Sequence, residues 1–463
     1  MPSKQRAFLL ETEEVDYNNL MASLAKYRKD PQTISNYHEE FNNLDRKIRQ
    51  SQIGNIQKDK LLGKKGNKEL VRAVRVPIPI AKKIVNTSVA FEFGKPVNLS
   101  SKEENTLSGQ IIEQWKLLRI DHKIKQAKVL QKQETHSALL FHFRDSKEGK
   151  EMKCKVLSFN KSGEFYPFFD AMGDMTRFVN RFVTYDENLK EKECAWIYDS
   201  NEVTQLKKDG SKWTIEDKAS HGFDRIPVVY FNQEHPEHYD VADMIDRLEV
   251  AQSKLGASND YTGHPLLFLE GEVTGLPHKD ADGKALKTKV EYNSDGHKIK
   301  GGDAKFLTHD NAPDSVKLEI EKLEDYIYSM SSTPNISFSN LKSVGNISGK
   351  ALELMFLDST LKKLMNEGQN RIDVERILSV IASGIYTTSQ VSLKSQKNSV
   401  DIGIEFGNVL PNSWDEVAET LATLISNNLI SRDLAVSILG SAEDIDEELQ
   451  KIAKQSTQEE PVT

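Results

Sequence analysis

Apolar positions change period several times along this chain, and each change marks a different kind of element. Between Pro313 and Met330 the residues Val316, Ile320, Leu323, Ile327 and Met330 recur at steps of four and three, one seam along a helix. Glu319, Glu321, Glu324 and Asp325 stay off that seam, so one side packs and the other carries negative charge. Ser331-Ser332-Thr333-Pro334-Asn335 then stops the helix, because Pro lacks an amide donor and restrains the residue before it, and Ser and Asn compete for backbone hydrogen bonds. The polar stretch through Ser343, Gly345 and Asn346 predicts a loop, and Ser348 is an N-cap for a second long helix. Leu352, Met355, Phe356, Leu361, Leu364 and Met365 are expected to form the buried stripe of that helix.

Elsewhere the same reading gives a mixed chain. Residues 1 to about 60 are expected to be mainly helical, with Tyr37, Phe41, Leu44 and Ile48 at helical spacing. Val74 to Pro79 breaks the pattern; Ile80 to Phe93 predicts a helix or mixed segment ending at Gly94-Lys95-Pro96, followed by a short strand at Val97-Asn98-Leu99. A helical pattern returns from Thr106 to Ala127 and beyond. From Ser137 to Phe231 short β-rich runs predict an antiparallel sheet region, closed by Ile226 to Phe231 with Pro227 at a strand start or edge. Asp240 to about Ser258 reads as a helix with Ala242, Ile245, Leu248, Gln252 and Leu255 on one side, and Leu266 to Leu269 as a strand. The stretch from Gly271 to Gly302, rich in Gly, Asp, Lys and Asn, predicts exposed hairpins. Val400 to Phe406 alternates like a strand; Val417, Leu421, Leu424 and Ile425, then Leu434, Ile438 and Leu439, predict closing helices.

Composition narrows the classes. The chain has 463 residues, too many for one ordinary core, and its 38% hydrophobic and 29% charged residues suit much exposed or intersubunit surface. A net charge of -8 argues against a protein that grips nucleic acid over its whole surface. Basic clusters at Lys58 to Arg75 and along Lys123, Lys125, Lys128 and Lys132 are expected to be solvated surface. No run is long and apolar enough for a membrane span, and Met1 to Arg6 leads into acidic residues rather than a signal core, which points to a cytoplasm or a particle assembled there. Cys154 and Cys194 make neither a disulfide framework nor a zinc site.

Candidate chemistry is sparse. Gly345 to Ala351 resembles a phosphate loop only superficially: the spacer is one residue short, Ala351 replaces the magnesium-binding hydroxyl and no strand leads into it. Gly63 to Lys68 fails in the same way. His235, His238 and Asp240 stand at turn spacing for a metal, but a structural or solvent-exposed role is the simpler expectation. No nucleophile, base and orienting acid stand out together. Trp115, Trp196, Trp213 and Trp414 are expected to be packing anchors.

Taken in order, the pieces resemble the portal proteins of tailed bacteriophages of the siphovirus type over residues 70 to 450. The resemblance is carried by Ile84-Val85-Asn86 with Phe93-Gly94-Lys95-Pro96-Val97, by Ile226-Pro227-Val228-Val229, by Met244-Ile245-Asp246 with Ser258-Asn259-Asp260, and by Pro334-Asn335-Ile336 with Ile347 to Leu352. It implies an elongated multi-domain α+β fold assembling into a ring, a dodecamer in assembled heads, through which double-stranded DNA is packaged and ejected at a capsid vertex. Carried onto this chain, residues 1–75 are an N-terminal helical arm, 76–238 and 390–412 the wing, 239–263 and 313–332 the stem helices, and 264–312 the clip. Residues 333–348 are the tunnel loop, 349–389 the tunnel helix and 413–463 the crown and tail.

The resemblance also implies sites and partners. Asn335, Ser337, Lys342, Ser343, Gly345 and Asn346 would form the DNA-channel loop, Lys342 being the candidate guide for phosphates; Glu321, Glu324 and Asp325 would face the channel, where acidic walls repel a polyanion. Gly349 and Gly368 are candidate hinges, and Gly345 adds backbone freedom in the loop. Partners would be the terminase large subunit, a head-completion or adaptor protein, and the major capsid and scaffolding proteins, with no membrane, cofactor, metal or catalytic residue. The alternatives are a nucleotide-dependent enzyme and a helical cytoplasmic adaptor.

Overall fold

The computed structural model describes residues 16–24, 31–44, 46–50, 58–62, 69–101, 106–147, 149–159, 163–262, 266–270, 273–275, 287–288, 290–301, 303–307, 313–335, 354–407, 414–427, 429–431 and 434–435. The fold mixes helix and sheet. Among the described residues the α-helices are α1 (Tyr17–Leu24), α2 (Pro31–Phe41), α3 (Ile80–Phe93), α4 (Thr106–Leu117), α5 (Ile120–Glu134), α6 (Ala242–Thr262), α7 (Pro313–Met330), α8 (Leu357–Gly384) and α9 (Trp414–Ser426).

Strands β1 (Lys60–Leu62) and β2 (Glu69–Val71) form a small hairpin, and β3 (Val97–Ser101) pairs with a strand from far along the chain, described below. β4 (His136–Ser146) and β5 (Gly149–Ser158) form a long hairpin. A five-stranded antiparallel meander follows, built from β6 (Glu164–Phe169), β7 (Met175–Tyr185), β8 (Glu191–Tyr198), β9 (Glu202–Asp209) and β10 (Lys212–Ser220). β11 (Val228–Asn232) then returns to the free side of β4, with Pro227 just ahead of the strand as its missing amide requires.

The main core lies where α4, α5 and the second half of α8 meet the β4–β5–β11 sheet. On α5, Ile120, Ile124 and Ala127 fall on one face, and all are sealed; on α8, Val374, Ile377, Leu378 and Ile381 do the same. The Trp115 indole donates to Asp121 Oδ2 at 2.9 Å, while Asp121 Oδ1 accepts the Val97 amide at 2.9 Å, so one carboxylate ties α4, α5 and β3 together. The helical pattern that runs on from Thr106 divides at Arg119, which adopts left-handed φ 52° between α4 and α5. Gly384 is required at the end of α8: a Cβ there would run into Met152 Cε and the Phe223 ring.

A second core joins α1 to the meander, with Leu20, Met21 and Leu24 against Val179, Ala195, Ile197 and Leu206. The N-terminal helical pattern does not continue as one helix. α2 ends at Phe41, Asn43 takes φ 60°, Leu44 is exposed, and Ile48 is buried separately in a 3-10 turn at Lys47–Arg49.

The third core packs α6 on α7, with Ile80 and Ile84 of α3 at its base. β12 (Leu266–Glu270) leaves α6, and its antiparallel partner leads back into α7, so the two helices run in opposite directions. Between them, β13 (Val273–Gly275) pairs with β14 (Lys287–Thr288), and β15 (Val290–Tyr292) with β16 (Lys298–Gly301), in the hairpins that the turn-rich composition predicts. β17 (Asp303–Leu307) is the partner of β12, and β18 (Ile402–Phe406) is the distant partner of β3.

Candidate functional site

On α7, Ile320 and Ile327 are buried and Val316 and Leu323 are packed beside them, whereas Met330, expected on the same seam, keeps 63% of its surface. Glu319 accepts Arg247 Nε at 2.7 Å and so bridges α7 to α6. Glu321, Glu324 and Asp325 do come together on the outer side of α7. Glu321 and Asp325 are exposed, with Lys317 and Lys322 3.8 Å away, contacts worth about 0–1 kcal/mol at such exposure. Partial burial raises the Glu324 carboxyl; Asp325 and Glu321 beside it push the same way, and Lys83 opposes them.

The C-terminus of α7 is built with care for its free carbonyls. The Thr333 amide donates to Tyr328 O at 2.9 Å and the Ser332 amide to Ser329 O at 3.1 Å, with Ser332 at φ 53°. That is a Schellman cap with Ser in the left-handed position usually given to Gly, and Pro334 follows it. Asn335 lies on the wall of a cavity of about 200 Å³ with Asp325, Tyr328, Ser329, Thr333, Pro334, Met355, Asp358 and Ser359. Ser337, Lys342, Ser343, Gly345, Asn346 and Gly349 lie outside the described residues.

The first half of α8 overturns an expectation. Its apolar stripe faces outward: Leu357, Leu361, Leu364, Met365 and Ile372 are exposed, Met365 at 85%; just ahead of the helix Leu354 is exposed too, Met355 and Phe356 are half-buried, and Leu352 lies outside the described residues. The inward stripe is polar. Ser359 Oγ donates to Ser332 O at 2.6 Å; Lys362 Nζ reaches Ser331 O at 2.9 Å and Glu237 Oε1 at 2.7 Å; Asn366 and Asn370 donate to Glu92 at 2.7 and 3.2 Å. Asp373, one turn on, meets Lys128 at 2.6 Å. Apolar spacing identifies an amphipathic helix but not which of its faces meets its own subunit; here the inward partners are charges supplied by α3, α5 and the segment before α6, with the carbonyls of Ser331 and Ser332 at the end of α7. Gly368 sits exposed near the end of this first half of the helix, and a Cβ there would meet nothing within 4 Å.

Those inward partners also correct the reading of the lysine run. Lys123 and Lys125 are at least partly exposed, but Lys128 and Lys132 are buried, Lys128 under the rings of Phe93 and Phe231 and Lys132 bonded to Glu92 at 2.9 Å and Glu237 at 3.3 Å. Burial alone would raise the Glu237 carboxyl, but Lys132 and Lys362, with hydrogen bonds from Lys362 and Ser88, outweigh it and hold the group at about 2. The Lys132 ammonium is raised in turn: burial opposes its charge, and Glu237 and Glu92 prevail. Two residues in this network escaped the sequence reading, Glu92 and Glu237; the pairing of each with lysines distant in the chain leaves no local trace.

The remaining candidates have structural roles. His235 stacks on Tyr239 at 4.0 Å, His238 is buried 3.4 Å from Glu40, and Asp240 is exposed. Among the described residues no group of His, Cys, Asp and Glu is arranged to hold a metal, and no helix is long and apolar enough to cross a membrane. Trp115, Trp196 and Trp213 pack against the cores, and the side chain of Trp414 lies outside the described residues, as do both glycine-lysine stretches considered for phosphate binding.

The family model for phage portal protein, SPP1 Gp6-like, matches residues 27–462, and the chain belongs to that family. Solved structures similar to it include a chain of the virion of the native gene transfer agent particle, with 11% identity, 78% of this chain and 88% of that chain covered, and a TM-score of 0.35. Another is in the neck of the native particle computed with C12 symmetry, with 12% identity, 78% and 89% covered, and a TM-score of 0.40. No curated protein matches.

Proposed function

We propose that the chain is the structural subunit of a ring at a capsid vertex, through which double-stranded DNA is packaged and ejected, without a catalytic role of its own. The observation that carries this reading is the outward apolar stripe of α8 from Leu357 to Ile372. A monomer leaves it in water, whereas a neighbouring copy covers it; an interface of standard size needs about 800 Å² from each partner, and large apolar side chains form its core. A closed ring makes the contact heterologous, one face of a subunit against a different face of the next. Twelve copies is the number the resemblance implies.

In this reading residues 76–238 and 390–412 make the wing, α6 and α7 the stem, 264–312 the clip, 333–348 the tunnel loop, 349–389 the tunnel helix, and 413–463 the crown. Glu321, Glu324 and Asp325 line the channel and keep phosphates from adhering, while Lys342 guides them. The clip docks the terminase large subunit, which supplies the ATP chemistry, and later a head-completion protein; capsid and scaffolding proteins surround the wing. Assembly takes place in the host cytoplasm.

Negative-stain microscopy of the purified full chain tests the proposal. Rings with a central hole, seen down their axis, are expected. Monomers or small globular oligomers alone, under every assembly condition, would overturn it.

A further inference from the structure

α8 is held in two different ways along its length. From Val374 to Ile381 its inward side chains are apolar and sealed in the main core, where a shift would open voids in a close-packed interior. From Leu357 to Asn370 the inward contacts are polar: Ser359 to Ser332 O, Lys362 to Ser331 O and Glu237, and Asn366 and Asn370 to Glu92, with Lys363 reaching Gly407 O at 2.9 Å on another side. Ahead of them Phe356 meets the ring of Phe91 at 5.8 Å. Hydrogen bonds of this kind exchange with water at modest net cost, so this half can leave its seat without the core being rebuilt. Gly368 lies within this stretch, open to solvent.

We propose that Lys362 is a latch that holds the first half of α8 against the end of α7, and that its release lets this half swing about the Gly368 region while Val374 to Ile381 stays anchored. Lys362 is distinguished from the other inward contacts by joining three segments at one ammonium. It donates to Ser331 O, at the C-terminus of α7 where the helix dipole concentrates negative charge, and to Glu237, in the segment that feeds α6. Glu237 is in turn held by Lys132 and by Ser88 Oγ at 2.9 Å, so the acceptor side of the latch is fixed to α3 and α5. Both ends of the α6–α7 pair thus meet the start of α8 through one side chain. The inference concerns a single subunit and stands apart from ring assembly.

Amide hydrogen exchange on the full chain tests it, with wild type, Lys362→Met, Lys362→Gln and Lys362→Arg compared in the same assembly state. Loss of a charged hydrogen bond on this scale is expected to speed exchange of residues 359–370 and of the amides of Ser332 and Thr333 by about tenfold or more in the Met and Gln variants. Residues 374–384 should keep their wild-type protection, and Lys362→Arg should restore most of the difference. Unchanged protection in 359–370 would overturn the proposal. So would an equal rise in 374–384, which would make Lys362 one contributor to overall stability rather than a latch on one half of the helix.

Discussion

The ammonium of Lys128 on α5 lies 2.6 Å from the carboxylate of Asp373 on α8, and the two side chains keep only 2% and 8% of their surface. Two charges taken out of water in this way depend on each other: without Asp373 the Lys128 ammonium would be left buried beneath the Phe93 and Phe231 rings, and without Lys128 the buried Asp373 carboxylate would keep only the Gln369 amide, at 3.0 Å. Asp373→Asn is therefore expected to destabilise the protein by about 3 kcal/mol or more, while the double change Lys128→Met with Asp373→Leu recovers most of the loss. Denaturant unfolding of the three proteins checks both statements.

Acid should expose the Glu237 network. Its carboxyl is held at about 2 in the folded chain, below the ordinary carboxylate value, so its contribution is complete above that ordinary value and is lost as pH falls through about 4.5 toward 2. Glu237→Gln should be less stable than wild type at neutral pH, and the gap should shrink as pH falls across that window. Melting temperatures measured from pH 7 to pH 2.5 decide it; a gap independent of pH would show that the carboxylate's charge is not what matters.

The two cysteines should behave differently toward thiol reagents. Burial pushes the Cys154 thiol up to about 12, and only 8% of the residue is accessible, whereas Cys194 on β8 is half-buried. Mass spectrometry after brief alkylation at pH 8 should find Cys194 labelled first, with Cys154 following only on unfolding.

Charges placed on the outward stripe of α8 should separate folding from assembly. Leu361→Glu with Met365→Lys changes side chains that are 49% and 85% exposed, so subunit melting should move by about 0.5 kcal/mol or less per site, the range for surface substitutions. Sedimentation should show loss of oligomers at protein concentrations where wild type assembles. Unimpaired assembly would remove this stripe from the interface.

Several elements could be read directly from residue order. The period-two runs of β4, β7 and β8, the turn residues around the hairpins between α6 and α7, and the seam of Ile320 and Ile327 depend on neighbours within a few positions, and that information is local. The break at Arg119 was not legible, because the left-handed residue there is an exposed arginine and no glycine marks the turn; the end of α2 at Phe41 carried only the weaker signal of Asn43, a residue type that tolerates the left-handed region. Of the candidate site, the acidic cluster of Glu321, Glu324 and Asp325 could be read from one helix.

By itself, then, the amino-acid order determined most of the helices and strands, though not the breaks at Arg119 and after Phe41, as well as which elements are amphipathic and which family the chain belongs to. Only the tertiary structure decided which face of α8 turns inward, that Lys128 and Lys132 are buried rather than solvated, and that Glu92 and Glu237 collect their contacts. The reason is physical: periodicity records that a helix has two unlike faces, whereas the direction each one points is settled by charges brought together from segments far apart in the chain.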